Sequence, residues 1–178
     1  FTFNPKIPET AIRELATCSF IDRSENVFLL GPSGVGKSHL AQALGNAACR
    51  KGHDVVFERT DSLLRNIQGG LGDGTREKRL LNMARIPLLI LDDFGLLPLD
   101  AACQATLYEL ICERYEKAAT VITSNRDFQE WLSIFTNPLV ASAAMDRLVH
   151  RACKIVIEGR SYRIESFSRK NRKSGKET

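Results

Sequence analysis

The sequence predicts an α/β fold in which helices cover both faces of a five-stranded parallel sheet. Two observations lead to this fold class. Five apolar runs alternate with segments of helical periodicity, and such runs are typical of parallel strands buried on both faces. A glycine-rich string at residues 31–38 also separates the first run from the first helical segment. The predicted strands span residues 27–30, 54–58, 86–91, 118–123 and 153–157.

Helical segments are predicted in the intervals between these strands. The first begins near Lys37 and closes with Arg50-Lys51-Gly52, where a basic last turn followed by glycine is typical of a helix C-terminus. Two shorter helices are predicted at 60–67 and 75–84, on either side of a glycine-rich stretch. The remaining two are predicted at 101–117 and 139–150, so that strands and helices alternate along the chain.

The string at residues 31–38 matches the P-loop pattern G-x-x-x-x-G-K-[ST], which binds phosphate. Glycine-rich backbone curls tightly enough to point several N–H groups at the oxygens of a triphosphate. Lys37 adds a positive charge for the β- and γ-phosphates, and the Ser38 hydroxyl is predicted to hold Mg²⁺. The following helix directs the positive end of its dipole at the same anion. The sequence therefore predicts ATP or ADP bound with Mg²⁺ by Gly31, Pro32, Ser33, Gly34, Val35, Gly36, Lys37, Ser38 and His39.

Polar residues follow the third and fourth predicted strands, at the edge of the sheet where ligands bind in such folds. The third strand ends in Asp92-Asp93, the Walker B arrangement. Asp92 is predicted to contact Mg²⁺ and Asp93 to polarise the attacking water, although acids at strand ends also serve as helix caps or turn formers. Asn125 after the fourth strand is predicted to orient that water beside the γ-phosphate, the alternative being an ordinary turn residue.

Composition places the chain among globular domains. It has 178 residues, of which 43% are hydrophobic, and no segment is apolar enough to span a membrane. Five scattered cysteines suggest reduced thiols in a cytoplasmic protein. The net charge of +4 arises in residues 160–178, which carry +5. The basic end of the chain is either a solvated, disordered tail or a contact for nucleic acid phosphates. The chain begins without Met, so we expect a fragment of a longer protein.

These motifs together resemble the AAA+ ATPases. The string Leu89-Ile90-Leu91-Asp92-Asp93-Phe94-Gly95-Leu96 is similar to the DnaC/IstB branch, and the strings Met145-Asp146-Arg147-Leu148 and Ser161-Tyr162-Arg163 narrow the resemblance. The start of the chain is similar to IstB proteins, ATP-dependent helpers encoded beside a transposase in bacterial insertion sequences.

The resemblance implies a three-layer αβα sandwich with strand order 5-1-4-3-2, so that Asn125 lies between the Walker A and Walker B residues. It implies an ATPase domain over residues 1–167, a basic tail over 168–178, and a helical lid that is absent or vestigial, with Arg163 as a partial substitute. It also implies assembly with nucleotide held between subunits. Arg147 falls on the position of the arginine finger and Arg151 is its rival, while a surface ion pair with Asp146 is the structural alternative.

The resemblance further implies partners. A transposition helper would oligomerise as a ring or filament on duplex DNA without sequence preference and engage a transposase. Arg76, Lys78 and Arg79 are candidates for DNA contacts, or else form a solvated helix face. Phe3, Asn4 and Ile21 are candidates for adenine contacts, unless Phe3 and Ile21 pack in the core.

Two other functions stay open at this point. A helicase loader of the DnaC type would use the same ATP switch to grip a helicase and single-stranded DNA. A small-molecule P-loop kinase is a third possibility, but the sequence shows neither an arginine-rich phosphate lid nor an acceptor site.

Overall fold

The structure is a computed structural model that describes residues 8–164. Its helices are α1 (Glu9–Leu15), α2 (Ser19–Asp22), α3 (Lys37–Arg50), α4 (Thr60–Gly69), α5 (Arg76–Arg85), α6 (Ala101–Arg114), α7 (Phe128–Trp131) and α8 (Pro138–Val149). A single 3₁₀ turn, Leu132–Ile134, follows α7. The strands are β1 (Asn26–Leu30), β2 (Val55–Arg59), β3 (Leu88–Asp92), β4 (Ala119–Ser124) and β5 (Ala152–Val156).

The five strands form one parallel sheet in the order β2-β3-β4-β1-β5. This confirms the predicted fold class and strand order. Strand β4 lies between β1 and β3, with Val27 opposite Val121 and Leu91 opposite Ile122. The carboxyl ends of these three strands therefore meet at one edge, where the P-loop follows β1 and the acidic pair follows β3.

Side chains of the central strands alternate between two cores, one on each face of the sheet. Phe28, Leu89 and Ile122 pack with the apolar residues of α4, α5, α6 and α8. Val27, Ile90 and Val121 pack on the opposite face with residues of α1, α2 and α3. The molecule consequently has three layers, as predicted.

Helix α6 ends at Arg114, three residues before the predicted end at Lys117. Arg114 is buried, and its guanidinium donates to the backbone oxygens of Met83, Ala84, Ile86 and Ala119 and to the Thr120 hydroxyl. Burial lowers the pKa of Arg114 to about 10. Backbone groups at the α5 end and the start of β4 thus fix the last turn of α6, and Glu116 reverses the chain in a left-handed conformation.

The helical turn at Phe128–Trp131 was not predicted from the sequence. Asp127 caps it by accepting from the Phe128 N–H, while Glu130 accepts from the Asp127 N–H. Trp131 is fully buried, and its ring packs edge-on against Phe28. So short a helix has no periodicity that a sequence pattern can reveal.

None of the helices within residues 8–164 has the length and apolar character that crossing a membrane requires. The predicted boundary between residues 167 and 168, the basic tail and the residues Phe3 and Asn4 lie outside the described part of the chain. The domain limits and the missing lid therefore stay predictions.

Candidate nucleotide-binding site

The P-loop occupies the connection from β1 to α3, and its glycines meet local steric limits. Gly31 and Gly34 have φ angles of +146° and +81°. A Cβ on Gly31 would lie 2.1 Å from the Ile157 backbone oxygen, and a Cβ on Gly34 would lie 2.1 Å from Ser161 Oγ. Gly36, with φ +103°, starts α3 as its N-cap. These positions accept only glycine without distortion, which gives the loop its curled shape.

Lys37 is the first residue of α3 and is buried under the loop. Its Nζ donates hydrogen bonds of 2.8 Å to the backbone oxygens of both Gly31 and Pro32. Burial lowers the pKa of Lys37, although the negative charges of Asp93 and Asp92 act in the opposite direction and raise it. The ammonium group is thus fixed at the loop by neutral carbonyls. Phosphate oxygens would offer it a charged acceptor, and charge-assisted hydrogen bonds are the stronger kind.

Asp92 ends β3 and is almost completely buried, at 8% exposure. The Thr123 hydroxyl donates to Asp92 Oδ1, and the Thr60 hydroxyl donates to the Asp92 backbone oxygen at 3.0 Å. Within residues 8–164, no ion pair joins Asp92 to a basic side chain. A carboxylate has room for about four hydrogen-bond or metal contacts. Asp92 therefore retains oxygen lone pairs for a cation.

The donor chemistry at this edge fits Mg²⁺, for which Asp92 and the Ser38 hydroxyl would be the ligands from the protein. The described residues contain no group of three His, Cys, Asp or Glu side chains that would hold a metal by themselves. Magnesium usually takes one or two carboxylates and completes its octahedron with water and substrate phosphates. A single buried carboxylate beside a phosphate-binding loop is consistent with this coordination preference.

Asp93 adopts a left-handed conformation with φ +54° just beyond the end of β3. Its N–H donates to Thr123 Oγ1 at 3.1 Å, and Arg59 Nε lies 3.9 Å from Asp93 Oδ2. The left-handed turn separates the Asp93 side chain from that of Asp92. Asp93 is half-exposed and lines the same cavity as Lys37.

Asn125 follows β4 directly and is exposed. Because β4 lies between β1 and β3, Asn125 emerges between the P-loop and the acidic pair. Sequence reasoning missed the role of Thr123, whose hydroxyl contacts both acidic residues. The available signal was a hydroxyl side chain near the end of an apolar strand, since such a residue needs a polar partner when it is buried.

A cavity of about 570 Å³ opens over the loop. This volume lies within the range of about 300–1,000 Å³ that small-molecule sites occupy. The start of α3 supplies Ser38 and His39 to its wall, and the chain beyond β5 supplies Tyr162 and Arg163. From the sequence, Tyr162 only narrowed the family resemblance, and Arg163 was named only as a partial substitute for the lid. Among residues 8–164, the cavity is lined by Ser33, Gly34, Gly36, Lys37, Ser38, His39, Asp93, Tyr162 and Arg163.

Arg147 lies at the opposite edge of the sheet, near the amino ends of β1 and β4. It shares a small cavity with Asn26 and Thr120, the residues at those ends, and with the exposed Arg151. Its guanidinium donates to the Ala143 backbone oxygen at 2.8 Å. A strand of five residues is roughly 15 Å long. Arg147 and Arg151 are therefore distant from the P-loop of their own chain.

The three basic residues proposed for DNA differ in their surroundings. Arg76 donates to Glu109 at 2.8 Å and to the Thr106 hydroxyl at 3.1 Å. Arg79 donates to the Asn66 backbone oxygen and pairs with Asp73 at 3.1 Å. Both arginines hold α5 against neighbouring elements.

Lys78 differs from these two arginines because it is exposed. Among the residues considered for adenine, Ile21 is buried in the core beneath α3. Phe3 and Asn4 lie outside residues 8–164, so their adenine contacts stay predictions.

The sheet and the loop geometry define a P-loop protein with the AAA+ fold. The crystal structure of DnaI superimposes with a TM-score of 0.72 at 24% identity, covering 83% of this chain and 84% of DnaI. The DnaC helicase loader gives 0.67 at 24% identity over 83% of this chain and 86% of its own. DnaA bound to AMPPCP and single-stranded DNA gives 0.69 at 23% identity, covering 94% of this chain and 52% of DnaA. These similarities establish the fold.

The chain belongs to the family of IstB-like ATP binding proteins, whose sequence model matches residues 1–171. A protein from Pseudomonas aeruginosa, named as the ATP-binding protein of insertion sequence IS21, is 41% identical over 165 residues. The corresponding protein of IS5376 from Geobacillus stearothermophilus is 39% identical over 164 residues. These alignments cover 93% and 92% of this chain but only 62% and 65% of the relatives. The chain therefore spans less than two thirds of these proteins.

Proposed function

We propose that this chain is the ATPase domain of a transposition helper. It binds ATP with Mg²⁺, assembles on duplex DNA and stimulates a transposase encoded by the same insertion sequence. The observation that carries this proposal is the meeting of the P-loop lysine and the acidic pair in one site, across β1, β4 and β3. The names of the relatives, which are insertion-sequence ATP-binding proteins, support the biological setting.

Each residue of the site has a separate role in ATP hydrolysis. The loop N–H groups and Lys37 hold the phosphates, and Ser38 and Asp92 hold the metal. Mg²⁺ held by these two residues would supply positive charge that offsets the negative charge of the phosphate oxygens. Asp93 accepts a hydrogen bond from the attacking water, while the Asn125 amide orients that water from the adjacent strand. The Thr123 hydroxyl holds the Asp92 carboxylate and the Asp93 backbone N–H.

The arginine at the far edge of the sheet suits an assembly in which one subunit completes the site of another. Arg147 is roughly a strand's length from its own loop, so any action on a γ-phosphate requires a neighbouring subunit. Its guanidinium lies 5.8 Å from the Tyr108 ring centroid and 6.0 Å from that of Tyr115, which keeps the cation at this edge. Arg151 lies along the same edge and remains the alternative.

The DNA contact is best assigned to the start of α5. Lys78 is exposed there, whereas Arg76 and Arg79 would have to leave Glu109 and Asp73 before they could bind a phosphate. Such contacts with the phosphate backbone do not read sequence, and they weaken as salt rises. We therefore expect binding that tolerates any duplex sequence and falls steeply with ionic strength.

The test is light scattering of the protein with a non-hydrolysable ATP analogue, Mg²⁺ and duplex DNA. We expect particle size to rise only when nucleotide is present, and ATP turnover to rise with duplex DNA. Lys37→Ala should abolish both responses because it removes the ammonium group from the loop. Lys117→Ala removes an equivalent charge from an exposed surface position and should change neither.

Three results would contradict the proposal. Assembly of the Lys37→Ala protein to normal size would remove the nucleotide switch. A strong preference for single-stranded over duplex DNA would favour a helicase loader. Rapid ATP turnover by a monomer, unaffected by DNA and accompanied by phosphorylation of a metabolite, would indicate a kinase.

A further inference from the structure

We propose that Tyr162 forms the nucleobase platform of this site, so that the chain beyond β5 helps to select a nucleoside triphosphate over bare polyphosphate. This inference rests on the proposed function and adds a residue that contacts the base. It concerns residues 161–164, which we call the post-β5 segment. The segment begins eight residues after Cys153 and returns to the P-loop from the side opposite to the acidic pair.

Three contacts fix the post-β5 segment and the chain leading to it against the loop. The Ile157 N–H donates to the Leu30 backbone oxygen at 2.7 Å, which continues the pairing of β5 with β1. The Tyr162 N–H donates to the Gly34 backbone oxygen at 2.9 Å. Ser161 Oγ occupies the space that a Cβ on Gly34 would take. Tyr162 is therefore held at a set distance from the phosphate-binding loop by its own backbone.

The order of the strands gives the cavity two different ends. Strand β4 and the acidic residue Asp93 at the end of β3 lie on one side of β1, and β5 lies on the other. Hydrolysis requires the γ-phosphate to lie near Asp93, and therefore on the β3 side of the cavity. A triphosphate that runs along the loop from there must carry its ribose and base towards the β5 side, where Tyr162 lines the cavity.

The composition of the cavity wall supports the same assignment. Most of the lining consists of small loop residues and charged groups that suit phosphate, including Lys37 and Arg163. Tyr162 supplies a phenol ring, and its side chain is half-exposed. A nucleobase binds well to such a face because stacking on an aromatic ring does not depend on the pattern of hydrogen bonds around the base. His39 supplies a second aromatic ring to the described part of the lining.

The experiment is calorimetric titration of the protein, in Mg²⁺ buffer, with ATP and separately with inorganic tripolyphosphate. Tyr162→Ala should weaken ATP binding roughly tenfold, the loss that stacking on one aromatic side chain gives. It should leave the affinity for tripolyphosphate within about twofold, because the P-loop is intact. Tyr162→Phe keeps the ring and should bind ATP as the unsubstituted chain does.

Ile164→Ala is the matched control, because it truncates an exposed apolar side chain of the same segment that does not line the cavity. It should change neither affinity. Equal losses of ATP and tripolyphosphate binding in Tyr162→Ala would show that Tyr162 only supports the loop, and would overturn the inference. So would an unchanged ATP affinity, or a loss that appears only in His39→Ala.

Failure of the broader proposal has a different signature in the same titrations. An unsubstituted protein that binds neither ATP nor tripolyphosphate would overturn the proposed function together with this inference. An unsubstituted protein that binds both with equal affinity would retain the phosphate site and overturn the base platform alone.

Discussion

Thr123 joins the two acidic residues of the site, through the Asp92 side chain and the Asp93 backbone. Its hydroxyl donates to Asp92 Oδ1 and accepts the Asp93 N–H at 3.1 Å, and its side chain is fully buried. Thr123→Val preserves the shape of the side chain and removes both hydrogen bonds at once. The substitution therefore tests whether this hydroxyl organises the site.

The expected loss of stability follows from the two partners that the substitution leaves unpaired. An unsatisfied buried polar group costs about 1–3 kcal/mol, and the cost is higher when the group is charged. Asp92 is almost completely buried but Asp93 is only partly so, which gives an expected loss of about 2–3 kcal/mol in the free energy of unfolding. For a domain of this size the melting temperature should fall by about 5–10 °C.

Thr123→Ser is the matched control, because it keeps the hydroxyl and removes only a methyl group. Loss of that buried methyl should cost about 1 kcal/mol. Both variants are to be unfolded in urea without nucleotide, and their ATP turnover measured with Mg²⁺. We expect turnover to fall at least about tenfold in the valine variant, equivalent to about 1.4 kcal/mol of activation free energy, and to persist in the serine variant.

Two results would refute this reasoning. If the valine and serine variants were equally stable, the Thr123 hydroxyl would contribute no more to the free energy of unfolding than the Thr123 methyl group does. If the valine variant were less stable but hydrolysed ATP at the normal rate under conditions where it is folded, Thr123 would support the fold without positioning Asp92 and Asp93.

Three further predictions concern other parts of the molecule. Arg147→Ala should lower ATP turnover in the assembled protein while the dissociation constant for ATP stays within about twofold, since the side chain is far from its own loop; parallel losses of binding and turnover would contradict action on a neighbour. Gly34→Ala and Gly36→Ala each impose about 1–2 kcal/mol of backbone strain. Urea unfolding should show a larger loss of stability for Gly34→Ala, because only a Cβ at Gly34 would collide with Ser161. Equal losses of stability would mean that the post-β5 segment does not pack against the loop. Arg114→Met should lower the free energy of unfolding by about 3 kcal/mol through the carbonyls it leaves unpaired, and a loss below about 1 kcal/mol in the same assay would count against that account.

Much of the fold could be predicted from the sequence because its elements are locally encoded. The P-loop pattern, the apolar strands and the helix-ending signals placed five strands within one or two residues of their observed bounds. The helix at Phe128–Trp131 was missed because its stability comes from the packing of Trp131 under β1 and β4. The end of α6 was misplaced because Arg114 is held by carbonyls from α5 and β4, which are remote in sequence.

In the candidate site too, locally encoded residues could be predicted from the sequence, whereas contacts between residues remote in sequence could not. Motif spacing identified Lys37, Asp92 and Asp93 as candidates, but not the threonine that touches both acids. The charge pattern grouped Arg76, Lys78 and Arg79 together. The structure shows that their surroundings differ. Glu109 and Asp73, which lie outside α5, form ion pairs with Arg76 and Arg79, whereas Lys78 is exposed.

By itself the sequence determined the curled loop and the alternation of strand and helix, since both depend on residues that are adjacent in the chain. The order of the strands entered as an implication of family resemblance, because apolar runs do not specify which runs pair. Tertiary structure decided that β4 inserts between β1 and β3, that Thr123 bridges the acids, and that Tyr162 returns to Gly34. Such contacts join residues tens of positions apart, and only the packing of the whole sheet brings them within hydrogen-bond distance.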